Sequence, residues 1–159
     1  MAAKIKFGLI VGLFGLVLTM AVSFLVGVCG PFVGLAAGAV AGLLTVRAER
    51  PANRNAGASQ GTQAGAIAGG LTLAGQLIGN IGGFMLLQAS QVDLPFGEMP
   101  QTSAEETAFW IGGIGVAVCF GLLGLGLGVM GGASAGYFAT PESPATGGEP
   151  PQSPYPPMS

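Results

Sequence analysis

The stretch from Gly61 to Gln88, GTQAGAIAGGLTLAGQLIGNIGGFMLLQ, carries no charged residue and is rich in glycine. As a helix rising about 1.5 Å per residue, it is long enough to cross a hydrocarbon core about 30 Å thick. Its glycines recur at four-residue spacing, first as Gly61, Gly65 and Gly69, then as Gly75, Gly79 and Gly83. Advancing about 100° per residue puts all six on one side, together with Ala68, Thr72, Gln76 and Asn80. Ile67, Leu71, Leu77, Ile78, Ile81, Phe84 and Met85 fall on the opposite side. In lipid, burying a leucine against another helix gains little, because the acyl chains are equally apolar. Helices therefore meet through faces that let backbones approach, and the small face is predicted to be that face.

The rest of the composition agrees with a membrane setting. Charged residues are 8% of the chain and the mean hydropathy is +0.68, against roughly 25% charged residues in a soluble domain. The five basic residues form no patch interleaved with aromatics, so no nucleic-acid partner is expected. Histidine is absent, which removes the commonest metal ligand and general base. The two cysteines, Cys29 and Cys119, are too few for a disulfide framework. No catalytic, cofactor-binding or metal-ligating residue can be nominated, and the chain is read as a non-enzyme.

Four spans are predicted, at about 5–29, 31–46, 62–88 and 108–138, forming one membrane domain over 1–138. The apolar run after Lys4 and Lys6 is about twice the length of a signal-peptide core and has no A-x-A-like site after it, so it reads as an uncleaved first span. Gly30-Pro31 breaks the helix there. Residues 47–60 are predicted to be a polar loop and 89–107 an acidic one. Residues 139–159 hold seven of the eleven prolines and are predicted to be a disordered tail. With four full crossings, Lys4, Lys6, Arg47, Arg50 and Arg54 share one side. The positive-inside rule then makes both ends cytoplasmic, in the inner (cytoplasmic) membrane.

The second span carries Gly34, Gly38 and Gly42 and the fourth Gly124, Gly128 and Gly132, again four apart and followed by Gly136. The predicted helix-packing interface is therefore Gly34, Gly38, Gly42, Gly65, Gly69, Gly75, Gly79, Gly83, Gly124, Gly128 and Gly132. Thr72, Gln76 and Asn80 form a polar stripe along the third span, read as interhelical hydrogen bonding or as a hydrated path. Thr102-x-x-Glu105 and Ser103-x-x-Glu106 both fit a capping box ahead of the fourth span. Trp110 and Tyr137, about 40 Å apart on a helix, suit the two membrane interfaces. Cys119 is placed near mid-membrane and read as a small buried apolar residue.

GAVAG at 38–42 and AGAIAG at 64–69 resemble the Gly/Ala helix starts of small, glycine-rich four-span prokaryotic membrane proteins of uncharacterised function. That resemblance implies no activity, cofactor or catalytic residue. The expected fold is an all-α bundle of four transmembrane helices with glycine-zipper-type packing. The expected role is a structural or accessory subunit of a larger membrane complex, with lipid and other membrane subunits, or further copies of itself, as partners. A small self-assembling pore or small-solute transporter is the alternative.

Overall fold

A computed structural model of the chain describes residues 3–25, 30–90 and 102–142. They form four helices and, among the described residues, no strand: α1 (Ala3–Leu25), α2 (Gly30–Glu49), α3 (Arg54–Ser90) and α4 (Ser103–Ala139). All four are long and apolar enough to span a membrane. Cys29, the acidic loop residues Asp93 and Glu98, and the proline-rich segment beyond Glu142 lie outside these residues.

The helices extend past the predicted spans. α2 continues to Glu49, and α3 starts at Arg54, about two turns before residue 62. The polar composition of 47–60 therefore does not mark one continuous loop. Arg50 takes a left-handed conformation (φ 46°) while its N–H still bonds to the Val46 carbonyl at 2.9 Å, and Pro51 stops the helix. Three residues later the Asn53 side chain accepts from the Ala56 N–H at 2.8 Å, which caps the start of α3. Two signals within four residues thus make a tight turn. α4 begins at Ser103, and Thr102 forms the capping box: its side chain accepts from the Glu105 N–H, and the Glu105 side chain accepts from the Thr102 N–H.

Sequence neighbours run antiparallel, so α1 is parallel to α3 and α2 is parallel to α4. α2 and α3 touch across the middle, while α1 and α4 share no contact among the described residues. All five basic residues fall at one end of the bundle. There the Lys4 N–H donates to Glu49 at 3.2 Å, and Arg54 pairs with Glu142 at 2.6 Å while lying over the Tyr137 ring.

The distribution of side chains is that of a lipid-soluble bundle. The buried core is small, built from Ala37, Ala41, Ala64 and Ala68 with Val11 against them. Phe14, Phe32 and Phe138, which would be buried in a water-soluble protein, are 71–79% exposed. The buried threonine hydroxyls are satisfied by backbone carbonyls one turn earlier: Thr45 donates to the Ala41 carbonyl, Thr140 to Gly136 and Thr19 to Gly15.

Candidate functional site

The glycines of α4 sit between α2 and α3. On the α2 side the pairing is level by level. Gly34 meets Gly124, Gly38 meets Gly128 and Gly42 meets Gly132, so a Cβ built on Gly38 would lie 2.6 Å from the Gly128 α-carbon. On the α3 side, running antiparallel, Gly57 meets Gly136, Gly61 meets Gly132 and Gly65 meets both Gly132 and Gly128. Gly69 lies against Leu125. Gly132 is caught from both sides: it limits Gly42 of α2, and a Cβ on it would meet the Gly61 carbonyl and come 2.9 Å from the Gly65 α-carbon.

The single small face read along α3 is shared between two neighbours. Its first half, through Gly69, faces α4. Its second half faces α1, where Gly75 receives the Leu16 backbone and Gly79 receives Met20 and Ser23. A helical wheel gives the azimuth of a residue but not which neighbour occupies that azimuth at each height. Gly83 departs from expectation, because a Cβ there would meet nothing within 4 Å.

Glycines outside the predicted interface belong to the same packing: Gly57 of α3, Gly131 of α4, and a series on α1. Gly8, Gly12 and Gly15 of α1 accommodate Ile67, Leu71 and Thr72 of α3. Their spacing of four and then three departs from the strict four-residue period of the other glycine series. An i, i+4, i+7 series marks one helix face equally well.

The polar stripe divides. Residues four apart advance by about 400°, so each step turns the stripe by about 40°. Thr72 is buried and its hydroxyl donates to the Gly69 carbonyl at 2.8 Å. Gln76 is 1% exposed, and its carboxamide occupies the space that a Cβ on Gly30, at the start of α2, would need. Asn80 has turned toward α4, where it borders a cavity of about 20 Å³ with Phe84, Gly113 and Ala117. The Gln76 amide nitrogen and the Ser23 hydroxyl, both buried, have no hydrogen-bond partner.

Beyond Gln76, α3 runs on for about 20 Å with α4 beside it, past the start of α2. Phe84 holds this arm together, with edge-on contacts to Phe109 and Trp110 and its ring against Gly113. The outer face of α4 is open. A Cβ at Gly112, Gly115 or Gly126 would meet nothing within 4 Å, and Cys119 between them is exposed. The expectation of a buried Cys119 is thereby corrected: Gly121, Gly124, Gly128, Gly131, Gly132 and Gly136 of α4 pack inside, and Cys119 falls on the other side.

Among the described residues, no three His, Cys, Asp or Glu side chains come together. Comparison of the chain with family models, curated proteins and solved structures finds no match.

Proposed function

We propose that this chain is a non-catalytic, multi-pass membrane protein, packed internally by glycine-zipper-type contacts, that serves as a structural or accessory subunit of a larger membrane assembly. The observation that carries the reading is the outer stripe of α4. Ala108, Gly112, Gly115, Cys119, Leu122 and Gly126 alternate at spacings of four and three, and all are exposed. That is the heptad rhythm of a left-handed helix pair, written mainly in small residues, which is how membrane helices dock. The interface glycines predicted from sequence are mostly taken up inside the bundle, so the partner-facing surface is assigned to this stripe instead. The clustering of Lys4, Lys6, Arg47, Arg50 and Arg54 at one end supports cytoplasmic termini in an inner membrane.

A pore along Thr72, Gln76 and Asn80 is less well supported. The Thr72 hydroxyl is engaged with its own helix, and Asn80 is turned away from Gln76 toward α4.

The test is purification from the native membrane in a gentle detergent, comparing the unaltered chain with Gly115→Leu and Gly126→Leu. A defined co-purifying subunit or a homo-oligomer that both substitutions dissociate, with helicity and melting temperature unchanged, supports the proposal. A free monomer in every case rules it out.

A further inference from the structure

α1 leans on α3 through its glycines and meets α2 where a Cβ on Gly15 would touch Ala37 at 3.4 Å. This leaves an open groove of about 420 Å³ on the outer side of the α1–α2 pair. Its walls are apolar throughout, with Val11, Phe14 and Leu18 on α1 and Phe32, Ala36 and Val40 on α2. Phe14 and Phe32 stand at its sides, each more than 70% exposed.

The two stripes that line the groove lead to positive charge. On α1 the stripe Leu18, Phe14, Val11 continues two turns down to Lys4. On α2 the stripe Phe32, Ala36, Val40 continues two turns down to Arg47. Each charge therefore lies about 10 Å below the groove on the face that forms it, at the same end of the bundle. Glu49 stands beside Lys4 and offsets part of this charge, accepting from its backbone N–H. From Lys4 to Leu18 is about 21 Å along the helix, close to half of a bilayer about 40–45 Å thick including its headgroups.

We infer that this groove binds an anionic glycerophospholipid, its phosphate between Lys4 and Arg47 and one acyl chain lying between Phe14 and Phe32. Basic residues where two membrane helices end select lipid headgroups by charge. The apolar groove above them supplies the fit for the chain.

Native mass spectrometry of the full-length protein in non-ionic detergent, titrated with phosphatidylglycerol or phosphatidylcholine of matched chains, tests this. The anionic lipid should bind on the order of ten-fold more tightly. Lys4→Gln with Arg47→Gln should remove that preference, whereas Lys6→Gln with Arg54→Gln should retain it, because Arg54 faces Glu142 and Tyr137 on the α3–α4 side. Ala36→Phe, at an exposed position inside the groove, should weaken both lipids. Circular dichroism and melting temperature verify that each variant folds. Equal binding of the two lipids by the unaltered protein overturns the inference. So does an equal loss from both charge pairs, or full lipid binding by a folded Ala36→Phe variant.

Discussion

Gly38 of α2 lies so close to Gly128 of α4 that a methyl group on Gly38 would come within 2.6 Å of the Gly128 α-carbon. Backbone meets backbone there, with no side chain to give way, so the close approach depends on the missing carbon. Gly115, on the outer face of the same α4, has open space above it. Gly38→Ala is expected to destabilise the bundle by about 1–3 kcal/mol through overpacking. Gly115→Ala is expected to leave it unchanged or to gain up to about 1 kcal/mol of helix propensity. Melting temperatures in one detergent compare the two directly, and the same sign for both would contradict the assigned faces.

The two ends of the α3 glycine series should differ in the same way. Gly75→Leu would drive a side chain into the Leu16 backbone of α1, whereas Gly83→Leu meets open space. Loss of the folded, monodisperse species in size-exclusion chromatography is expected for Gly75→Leu alone.

Gln76→Leu should be tolerated. The amide nitrogen is buried without a partner, so replacing the carboxamide by an apolar group of similar size relieves a desolvation penalty of about 1–3 kcal/mol. Thermal stability equal to or above that of the unaltered protein is the expected result. A marked loss would show that Gln76 holds a polar partner in the membrane.

At the start of α4, Thr102→Ala removes a hydroxyl that accepts from the Glu105 N–H at 3.3 Å. The expected cost is about 0.5–2 kcal/mol, confined to the first turns of the helix. Hydrogen exchange that speeds up over residues 103–107 while the α2–α4 contact stays protected would verify it.

Arg50 holds a left-handed backbone conformation at the end of α2, where a side chain costs roughly 1–2 kcal/mol relative to glycine. Arg50→Gly should therefore raise the melting temperature slightly, even though it deletes a surface charge. A decrease would mean that the guanidinium makes a stabilising interaction larger than this strain.

Much was legible in the chain because the physics is local. A charge-free run longer than a bilayer, a proline at residue 31 and overlapping Thr-x-x-Glu and Ser-x-x-Glu ahead of an apolar run each act over a few residues, so the four helices could be read directly and the cap of α4 narrowed to Thr102 or Ser103. Gly34, Gly38 and Gly42 could be recognised as one face for the same reason. The start of α3 could not, because its polar first turns look like a loop until Gly57 and Gly61 are seen against Gly136 and Gly132. Those contacts join residues far apart in sequence, and they override local composition.

The sequence by itself determined that this protein has four apolar helices, that α4 is preceded by a capping box at Thr102 or Ser103, and which residues on each helix are small. Those properties follow from hydropathy, helical periodicity and side-chain hydrogen bonding within one turn. Only the tertiary structure decided which small face meets which neighbour. It alone showed that the α3 series divides between α4 and α1, that Asn80 parts from Gln76, and that Cys119 remains on the outside with Gly112, Gly115 and Gly126. The reason is geometric: a glycine permits close approach from any helix, so the partner is chosen by how all four helices pack together.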